Sequence, residues 1–345
     1  MVRRARSSGR SAGGEDLGLR IGVIGTGRLG RIHVRVFKRI PEVELVGCYD
    51  IVEERSRQAA ADFGAKAFDE VEALLDAVDG VSIVVPTVYH EETALKALSA
   101  GKHVFIEKPM AASIEQAENI LAAAARSARV LQIGHVERFN EAIARCRPFI
   151  ESPSFIEIHR LAPFTVRGID VSVIMDLMIH DLDLLIYFLG KLPVDIRAKG
   201  ASVLTSAPDI VNARLEYDDG CVANVTASRV SIEPMRKVRI FSRSRYLSID
   251  LSEGRIKHVQ KSESFDRGVA MLKEKKGKLE GVTLQDFLNV EETKIEGEEP
   301  LFNELRAFCV SVMNGTAPAV TGEDGLKALR LAVEIQEIVE KTRTR

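Results

Sequence analysis

The sequence predicts an α/β protein of two domains, with a parallel sheet in the first domain and an antiparallel sheet in the second. The chain has 345 residues, which corresponds to about two domains at the usual ~100 to 200 residues each. Before residue 140, short apolar runs alternate with helical segments, a rhythm typical of a parallel sheet covered by helices. After residue 140, longer segments alternate apolar and polar side chains with a period of two, which indicates antiparallel strands.

Composition and charge exclude several classes of protein. Apolar residues make up 46% and charged residues 28% of the chain, with a formal net charge of -2, so neither disorder nor nucleic-acid binding through bulk charge is expected. Cys48, Cys146, Cys221 and Cys309 form no Cys-x-x-Cys pair, so neither a zinc site nor a disulfide framework is predicted. No window has the ~18 apolar residues of a membrane span. We expect a cytoplasmic protein with no metal and with no nucleic-acid or membrane partner.

The basic beginning of the chain stands apart from both domains. Residues 1–18 are rich in Arg, Ser and Gly and have almost nothing to bury, so a mobile tail is predicted. The segment also lacks the apolar stretch of a signal peptide. A tether to nucleic acid or to a membrane surface is the alternative for such a segment.

The first domain, residues 19–140, is predicted from buried apolar runs separated by helix signals. The apolar runs lie at residues 19–24, 43–49, 81–85, 104–106 and 130–133. One helix opens at His90 and ends at Gly101, and another opens with a capping box at Ser113 and runs through Ala125. Strand and helix therefore repeat in the order that builds a parallel sheet.

The second domain, residues 141–345, begins with a helical segment over about 173–189. Its strands are predicted at residues 194–204, 211–217, 222–227, 237–241 and 247–251. Asp219-Gly220 provides a hairpin turn between two of them. The charged, glycine-interrupted stretch 273–278 is predicted to be a loop. Two helices follow, at residues 300–314 before Gly315 and at residues 322–339 after a Thr321 cap.

A glycine-rich motif directly follows the first strand and opens a helix. Its residues are Gly25, Thr26, Gly27, Arg28, Leu29 and Gly30. In this context Gly25 allows a tight turn, Gly27 lets the backbone approach a pyrophosphate, and Gly30 lets the helix pack on the strand. The motif therefore predicts a dinucleotide site, and a plain glycine-rich turn is the alternative.

An aspartate ends the second strand, where a dinucleotide-binding fold holds the adenosine ribose. Asp50 lies twenty residues after the last glycine of the motif and can accept hydrogen bonds from the ribose hydroxyls. Ile51 and Val52 follow it, so a 2'-phosphate would meet repulsion without an adjacent positive charge. This favours NAD over NADP, although Arg55 and Arg57 weaken the argument.

Polar residues also follow the later strands of the first domain. Glu107, Lys108 and Pro109 come directly after the strand at 104–106, and Pro109 biases Lys108 away from helix. Because open parallel sheets bind ligands at the carboxyl ends of their strands, Lys108 is predicted to face the crevice. Thr87 and His90 lie beyond another strand and are predicted to line it. The alternatives are a solvated lysine and a histidine that only starts its helix.

A carboxylate and a histidine lie four residues apart on the helical segment of the second domain. Asp176 and His180 would share one helix face, so the carboxylate can orient the imidazole while the imidazole takes a proton. A helix-surface pair or a buried structural histidine is the alternative. Arg138, after the strand at 130–133, is expected to line the crevice or to bridge the domains.

These motifs together resemble the glucose-fructose oxidoreductase/inositol dehydrogenase (Gfo/Idh/MocA) family. The resemblance rests on Gly25-x-Gly27-x-x-Gly30, Glu107-Lys108-Pro109 and Asp176-x-x-x-His180, in that order, and covers nearly the whole chain from Leu19. It implies a Rossmann domain followed by an open, mostly antiparallel sheet domain. It also implies hydride transfer between NAD(P) and a sugar or polyol carbon, with catalytic roles for Lys108 and His180.

One branch of that family is especially similar. Many members have glycine two residues after the aspartate, where this chain has Met178. Residues 134–140 and 160–183 resemble enzymes that oxidise the 3-hydroxyl of UDP-N-acetylglucosamine for amino-sugar synthesis of the lipid A type. That branch implies a UDP-sugar substrate and a downstream aminotransferase. Arg160 and Arg167 are predicted to grip the diphosphate, with ordinary ion pairing as the alternative.

The sequence therefore predicts an NAD-dependent dehydrogenase of a nucleotide sugar. Lys108 is expected to hydrogen-bond the reacting hydroxyl, His180 to accept its proton and Asp176 to orient the imidazole. Two alternatives stay open: an NAD(P)-dependent sugar or polyol dehydrogenase of the inositol type, and a non-catalytic NAD sensor or scaffold. One face of the second sheet would be left uncovered, so a homodimer or homotetramer is expected.

Overall fold

Six strands and six α-helices build the described part of the first half of the protein. The computed structural model describes residues 18–165, 171–274 and 287–343. The strands are β1 (Leu19–Ile24), β2 (Val43–Tyr49), β3 (Lys66–Ala67), β4 (Gly80–Ile83), β5 (His103–Glu107) and β6 (Leu131–Gly134). The helices are α1 (Arg28–Phe37), α2 (Glu53–Phe63), α3 (Val71–Ala77), α4 (His90–Ser99), α5 (Ile114–Ser127) and α6 (Glu141–Cys146).

These six strands form one parallel sheet in the order β3-β2-β1-β4-β5-β6. The chain proceeds outward from β1 in one direction and then returns to β4 on the other side of β1. Loops at the carboxyl ends of β1 and β4 therefore diverge, and a crevice opens between them. The helix cap predicted at Ser113 is present, because the Ser113 hydroxyl accepts a hydrogen bond from Gln116 N at the start of α5.

In its described ranges, the second half contains eight strands and four α-helices. The strands are β7 (Phe155–Leu161), β8 (Asp195–Ala201), β9 (Ile210–Glu216), β10 (Val222–Ser228), β11 (Met235–Ser242), β12 (Arg245–Asp250), β13 (Arg255–Lys261) and β14 (Leu288–Lys294). The helices are α7 (Ile179–Leu189), α8 (Phe265–Glu274), α9 (Pro300–Asn314) and α10 (Gly322–Arg343). The strand order is β14-β13-β12-β11-β7-β10-β9-β8.

The second sheet is antiparallel except where β10 runs parallel to β7. The predicted fold class, a parallel sheet domain followed by a mostly antiparallel one, is confirmed. Four strands were missed: the two-residue β3 of the first sheet, and β7, β13 and β14 of the second. The two at the sheet edge, β13 and β14, are rich in charged residues, and β-propensity gives little signal there.

One face of the second sheet carries the core of that domain. Along β9, Val211, Ala213 and Leu215 are fully buried while their neighbours are not, which is the expected alternation. The buried face packs against α7 and α10, whose apolar side chains join the same cluster. The opposite face has no such helix over it in the described part of the chain.

The C-terminal helices do not belong to the second domain alone, and this corrects the predicted boundary. Leu305, Phe308 and Cys309 of α9 are buried in the core of the first domain, where Phe308 lies 5.9 Å from Phe105 between ring centroids. Helix α10 contributes side chains to the cores of both domains. Contacts between the apolar faces of these helices and residues distant in the sequence decide this placement. Helix periodicity alone does not indicate which sheet a helix covers.

Three smaller predictions have different outcomes. The Thr321 cap is confirmed, since its hydroxyl accepts from Asp324 N, and α10 continues past residue 339 to Arg343. Lys273 and Glu274 of the predicted loop at 273–278 end helix α8, and the rest of that stretch lies outside the described residues. The predicted tail, except residue 18, also lies outside them. In the described ranges, no helix is long and apolar enough to cross a membrane.

Candidate active site

A cavity of about 620 Å³ lies at the carboxyl ends of the parallel strands. Nine of the eleven residues predicted to bind a dinucleotide line it: Gly25, Gly27, Arg28, Leu29, Asp50, Thr87, His90, Glu107 and Lys108. The other two, Thr26 and Gly30, are buried beneath the loop. The structure therefore brings the predicted nucleotide residues together from four separate loops.

The glycines of the loop fit a bound pyrophosphate. Gly25 has φ +90, and a Cβ at this position would lie 2.6 Å from the carbonyl oxygen of Val84. A Cβ at Gly30 would overlap the carbonyl oxygen of Gly25, so only glycine lets α1 approach the strand. At Gly27, by contrast, a Cβ would meet nothing within 4 Å and would project into open space. The N-terminus of α1 thus presents bare backbone to the cavity, as anion binding requires.

Asp50 braces this loop from below. Its Oδ2 accepts from Thr26 N at 2.6 Å and from Thr26 Oγ1 at 3.2 Å, while Oδ1 accepts from Val52 N at 2.9 Å. The carboxylate therefore orients the loop as well as facing the cavity, and its contact with ribose remains a prediction. Arg57 pairs with Glu53 on the same helix, whereas Arg55 lines the cavity.

Lys108 connects the two domains at the end of this cavity. Its Nζ donates to the backbone oxygen of Asp176 at 2.7 Å and to Asp176 Oδ1 at 3.2 Å. Behind it, Glu107 accepts from Lys108 N at 3.2 Å and lies 3.0 Å from His33 Nε2. The lysine ammonium is therefore held where the nucleotide cavity meets the second domain, with its side chain 16% exposed.

His33 is a part of the site that the sequence did not indicate. Its Nδ1 lies 2.9 Å from Ser82 Oγ, so the ring bridges Ser82 and Glu107 beneath Lys108. Burial raises the pKa of Glu107, but the hydrogen bond and charge of His33 and the charge of Lys108 outweigh burial and lower it. No local motif could have indicated this contact, because 74 residues separate the two partners.

The predicted pairing of Asp176 with His180 is not formed. Residues Ile174–Met178 make a π-helical turn, and α7 begins only at Ile179. A π-turn closes i to i+5 hydrogen bonds and changes which residues share a helix face. Asp176 therefore contacts Lys108, while His180 Nδ1 is buried without a hydrogen-bond partner among the described residues. Asp176 positions the lysine and not the imidazole.

Burial and neighbouring positive charges both favour the neutral form of His180. Burial lowers its pKa well below the ordinary histidine value, and the positive charges of Lys108 and Arg160 lower it further. The imidazole is consequently neutral at physiological pH. His135, from the segment after β6, is also buried, and burial lowers its pKa as well. Two neutral histidines therefore accompany the lysine.

The arginines predicted to hold substrate have different partners from those expected. Arg160 is 4% exposed, and its Nε and Nη2 donate to Asp181 while Nη1 donates to Glu137 at 2.7 Å. Burial lowers the pKa of Arg160, but the charges and hydrogen bonds of Asp181 and Glu137 outweigh the effect of burial and raise the pKa above its usual value. With its guanidinium enclosed by carboxylates, Arg160 does not face an open crevice, so the prediction of a diphosphate grip is wrong.

Arg138 serves to bridge parts of the fold. Its Nη2 lies 2.6 Å from Asp183 Oδ1 on α7, and its Nη1 lies 3.4 Å from Asp324 Oδ2 on α10. Of the two expectations for Arg138, the structure favours the bridge over the crevice lining. Arg167 lies outside the described residues. In the described parts of the chain, no group of three His, Cys, Asp or Glu side chains is arranged to hold a metal ion.

Comparison with known proteins agrees with the motifs and the fold. A family model described as an oxidoreductase family with an NAD-binding Rossmann fold matches residues 19–135, and a model of the GFO/IDH/MocA C-terminal domain matches residues 158–257. The UDP-N-acetylglucosamine 3-dehydrogenase of Acidithiobacillus ferrooxidans is 39% identical over 290 residues, which are 82% of this chain and 91% of that protein. The myo-inositol 2-dehydrogenase of Thermotoga maritima is 27% identical, over 94% of this chain and 98% of that protein.

Solved structures show the same architecture. The structure of the Acidithiobacillus ferrooxidans enzyme matches with a TM-score of 0.84 at 35% identity, covering 94% of this chain and 99% of that one. A levoglucosan dehydrogenase in complex with NADH and levoglucosan matches with a TM-score of 0.80 at 16% identity, which shows the fold alone. The resemblance predicted from the motifs is confirmed. The chain therefore belongs to the Gfo/Idh/MocA family of NAD-binding oxidoreductases.

Proposed function

We propose that the protein oxidises the 3-hydroxyl of UDP-N-acetylglucosamine to a 3-keto sugar, with NAD as the oxidant. The observation that carries this proposal is the meeting of Lys108 with Asp176 beside neutral His180, at the end of the nucleotide cavity. The choice of sugar follows the relative that is 39% identical over 290 residues. A sensor or scaffold would need neither a placed ammonium nor a neutral imidazole.

The residues of the chain divide the chemistry between them. The Lys108 ammonium donates a hydrogen bond to the reacting hydroxyl and stabilises negative charge as it develops on that oxygen. His180 accepts the hydroxyl proton, for which its lowered pKa keeps it unprotonated. Asp176 holds Lys108 in place through its side chain and its backbone oxygen. A nicotinamide dinucleotide held by the glycine loop and Asp50 would supply the hydride acceptor for the carbon that carries the hydroxyl.

The test of this function is a substrate panel. The purified protein would be incubated with NAD and UDP-N-acetylglucosamine, other UDP-sugars, inositols and free hexoses, while nicotinamide absorbance is followed. We expect UDP-N-acetylglucosamine to have the highest kcat/KM, with a ketone at C3 identified by NMR. Faster oxidation of inositol or free hexoses would instead favour the polyol dehydrogenase activity named for the Thermotoga maritima relative.

A parallel measurement tests the cofactor preference. The Asp50 carboxylate faces the cavity, so calorimetry should show tighter binding of NAD than of NADP. Because Arg55 also lines the cavity, the preference depends on which of the two side chains the ribose contacts. Tighter binding of NADP would show that the arginine dominates.

Three further proposals concern the setting of this reaction. The uncovered face of the second sheet carries Phe155, Phe241 and Tyr246. The ring centroids of Phe155 and Phe241 lie 5.9 Å apart, and those of Phe241 and Tyr246 lie 4.9 Å apart. Apolar side chains on an exposed sheet favour burial against a second copy, and light scattering should show a homodimer or homotetramer.

The free cysteines fit a reducing, cytoplasmic compartment. A 3-keto product is the substrate that a downstream aminotransferase would consume.

A further inference from the structure

A nucleotide-sugar substrate carries a diphosphate, and Arg160 does not provide the cation to bind it. The Arg160 guanidinium is already engaged by Asp181 and Glu137. Binding of a diphosphate therefore needs another cation near this enclosed arginine.

Arg236 lies next to Arg160 in the sheet. Strand β11 pairs antiparallel with β7, and Arg236 is directly opposite Arg160 in the register. Residues directly opposite each other in a sheet project from the same face. Val238 and Ile240, at alternate positions of the same strand, are buried on the helix-covered face. Arg236 therefore belongs to that face, at the end of the strand nearest the buried ion pairs.

The side chain of Arg236 differs from that of Arg160 in its freedom to bind. Arg236 is 56% exposed in its side chain, and its Nη1 lies 3.9 Å from Glu137 Oε1. The same carboxylate oxygen accepts a hydrogen bond from Arg160 Nη1 at 2.7 Å. Within the described ranges, Glu137 is the single carboxylate in salt-bridge range of Arg236. At that distance the pair is not a hydrogen bond, so the guanidinium fork can still bind an anion.

Arg236 also joins, through Glu137, the group of charges around Arg160 on the same side of the second domain as the proposed catalytic base. The pKa of His180 is lowered first by burial, and Arg236 is among the positive charges that lower it further. Arg236 does not line the nucleotide cavity described above. The Arg236 guanidinium therefore lies apart from the residues that line the nucleotide cavity.

We propose that Arg236 binds the diphosphate of the nucleotide-sugar substrate. This inference rests on the proposed function, because a free sugar would offer no such anion. The planar guanidinium forms two parallel, charge-assisted hydrogen bonds with phosphate oxygens. Binding energy gained at the diphosphate, remote from C3, positions the reacting carbon against Lys108 and His180. Arg160 supports this arrangement by occupying Glu137, which would otherwise pair closely with Arg236.

The experiment compares substrates with and without the diphosphate. Initial rates with NAD would be measured for UDP-N-acetylglucosamine and for free N-acetylglucosamine, in the unmodified protein, Arg236→Ala and Arg236→Lys. Binding of UDP alone would be measured by calorimetry. Arg239→Ala is the matched control, since Arg239 lies on the same strand but on the opposite face, where it pairs with Glu157 at 2.7 Å.

We expect Arg236→Ala to lose about 10 to 100-fold in kcat/KM for the UDP-sugar, the loss typical of one charged hydrogen-bonding group. UDP affinity should fall by a similar factor, while the rate with free N-acetylglucosamine and the affinity for NAD stay unchanged. Arg236→Lys should recover part of the loss, because it keeps the charge without the fork. Arg239→Ala should behave like the unmodified protein.

Two different failures can be told apart. If the unmodified protein neither binds UDP nor prefers the UDP-sugar, the proposed function fails, and the role of Arg236 fails with it. If the unmodified protein uses the UDP-sugar but Arg236→Ala binds UDP equally well, only the assignment of Arg236 is wrong. An equal loss for the free sugar would show that Arg236 acts through the pKa of His180, which also overturns the assignment.

Discussion

The two sides of the crevice are built in different ways. On the nucleotide side, the glycine loop presents backbone at the N-terminus of α1, braced by Asp50. On the substrate side, Lys108 and a group of buried arginine and carboxylate pairs bring together charges from distant parts of the chain. Backbone geometry depends on neighbouring residues, whereas charge pairing depends on the whole fold. Mutations on the nucleotide side and on the substrate side should therefore have different effects.

The largest effect should come from the proposed reacting groups, Lys108 and His180. Lys108→Ala and His180→Ala should each lose about 10² to 10⁴ in turnover, the usual cost of removing a placed acid or base. NAD affinity, measured by calorimetry, should stay nearly the same if the two sides are independent. Lys191→Ala removes an exposed ion pair at a hairpin and serves as control. Near-full activity in either catalytic variant would refute the assignment.

Breaking the buried ion pairs of Arg160 with Asp181 and Glu137 should strongly lower the free energy of unfolding. Arg160→Met would leave Asp181 and Glu137 buried without their partner, which costs on the order of 3 to 5 kcal/mol. Urea unfolding, followed by circular dichroism, measures this loss. Arg239→Met removes a partly exposed pair with Glu157 and should cost at most about 1 kcal/mol. Equal effects of the two substitutions would mean that the buried pairs do not organise the substrate side.

On the nucleotide side, two glycines should respond differently. Gly30→Ala places a methyl group against Gly25, so it should reduce both the melting temperature and NAD affinity. Gly27→Ala meets open space in the protein itself and should leave the melting temperature unchanged, while NAD affinity falls on the order of tenfold. Calorimetry with NAD and thermal unfolding of both variants provide the comparison. Unchanged NAD binding in Gly27→Ala would place the pyrophosphate elsewhere.

The smallest effect concerns the buried carboxyl of Glu304 on α9. Burial raises the pKa of Glu304 well above its usual value, and the negative charges of Glu107, Asp183 and Glu137 raise it further. The folded protein then holds a proton that the unfolded chain releases above pH ~4.3, so stability falls as pH rises from there through the raised pKa. Glu304→Gln should remove this dependence.

The melting temperatures of Glu304→Gln and the unmodified protein would be compared from pH 5 upward. The variant should gain relative to the unmodified protein as pH increases, because its amide stays neutral. A constant difference across the whole range would show that Glu304 does not titrate differently in the folded and unfolded protein.

The sequence by itself determined the local features of this protein. The glycine loop, the Ser113 cap and the Asp219-Gly220 hairpin turn all follow from contacts between residues a few positions apart. The alternation of apolar runs and helices predicted the parallel sheet for the same reason, since periodicity is a local property. The candidate reacting groups, Lys108 and His180, were also found from motifs.

Tertiary structure alone decided which charged groups became partners. Lys108 meets Asp176 across 68 residues because a π-turn changes the face that the carboxylate occupies. Arg160 pairs with Asp181 and Glu137, and α9 returns to the core of the first domain. A cation attracts any carboxylate, so the sequence pattern cannot choose among them. The fold chooses, because burial leaves a charge stable only beside the partner that packing brings within hydrogen-bond distance.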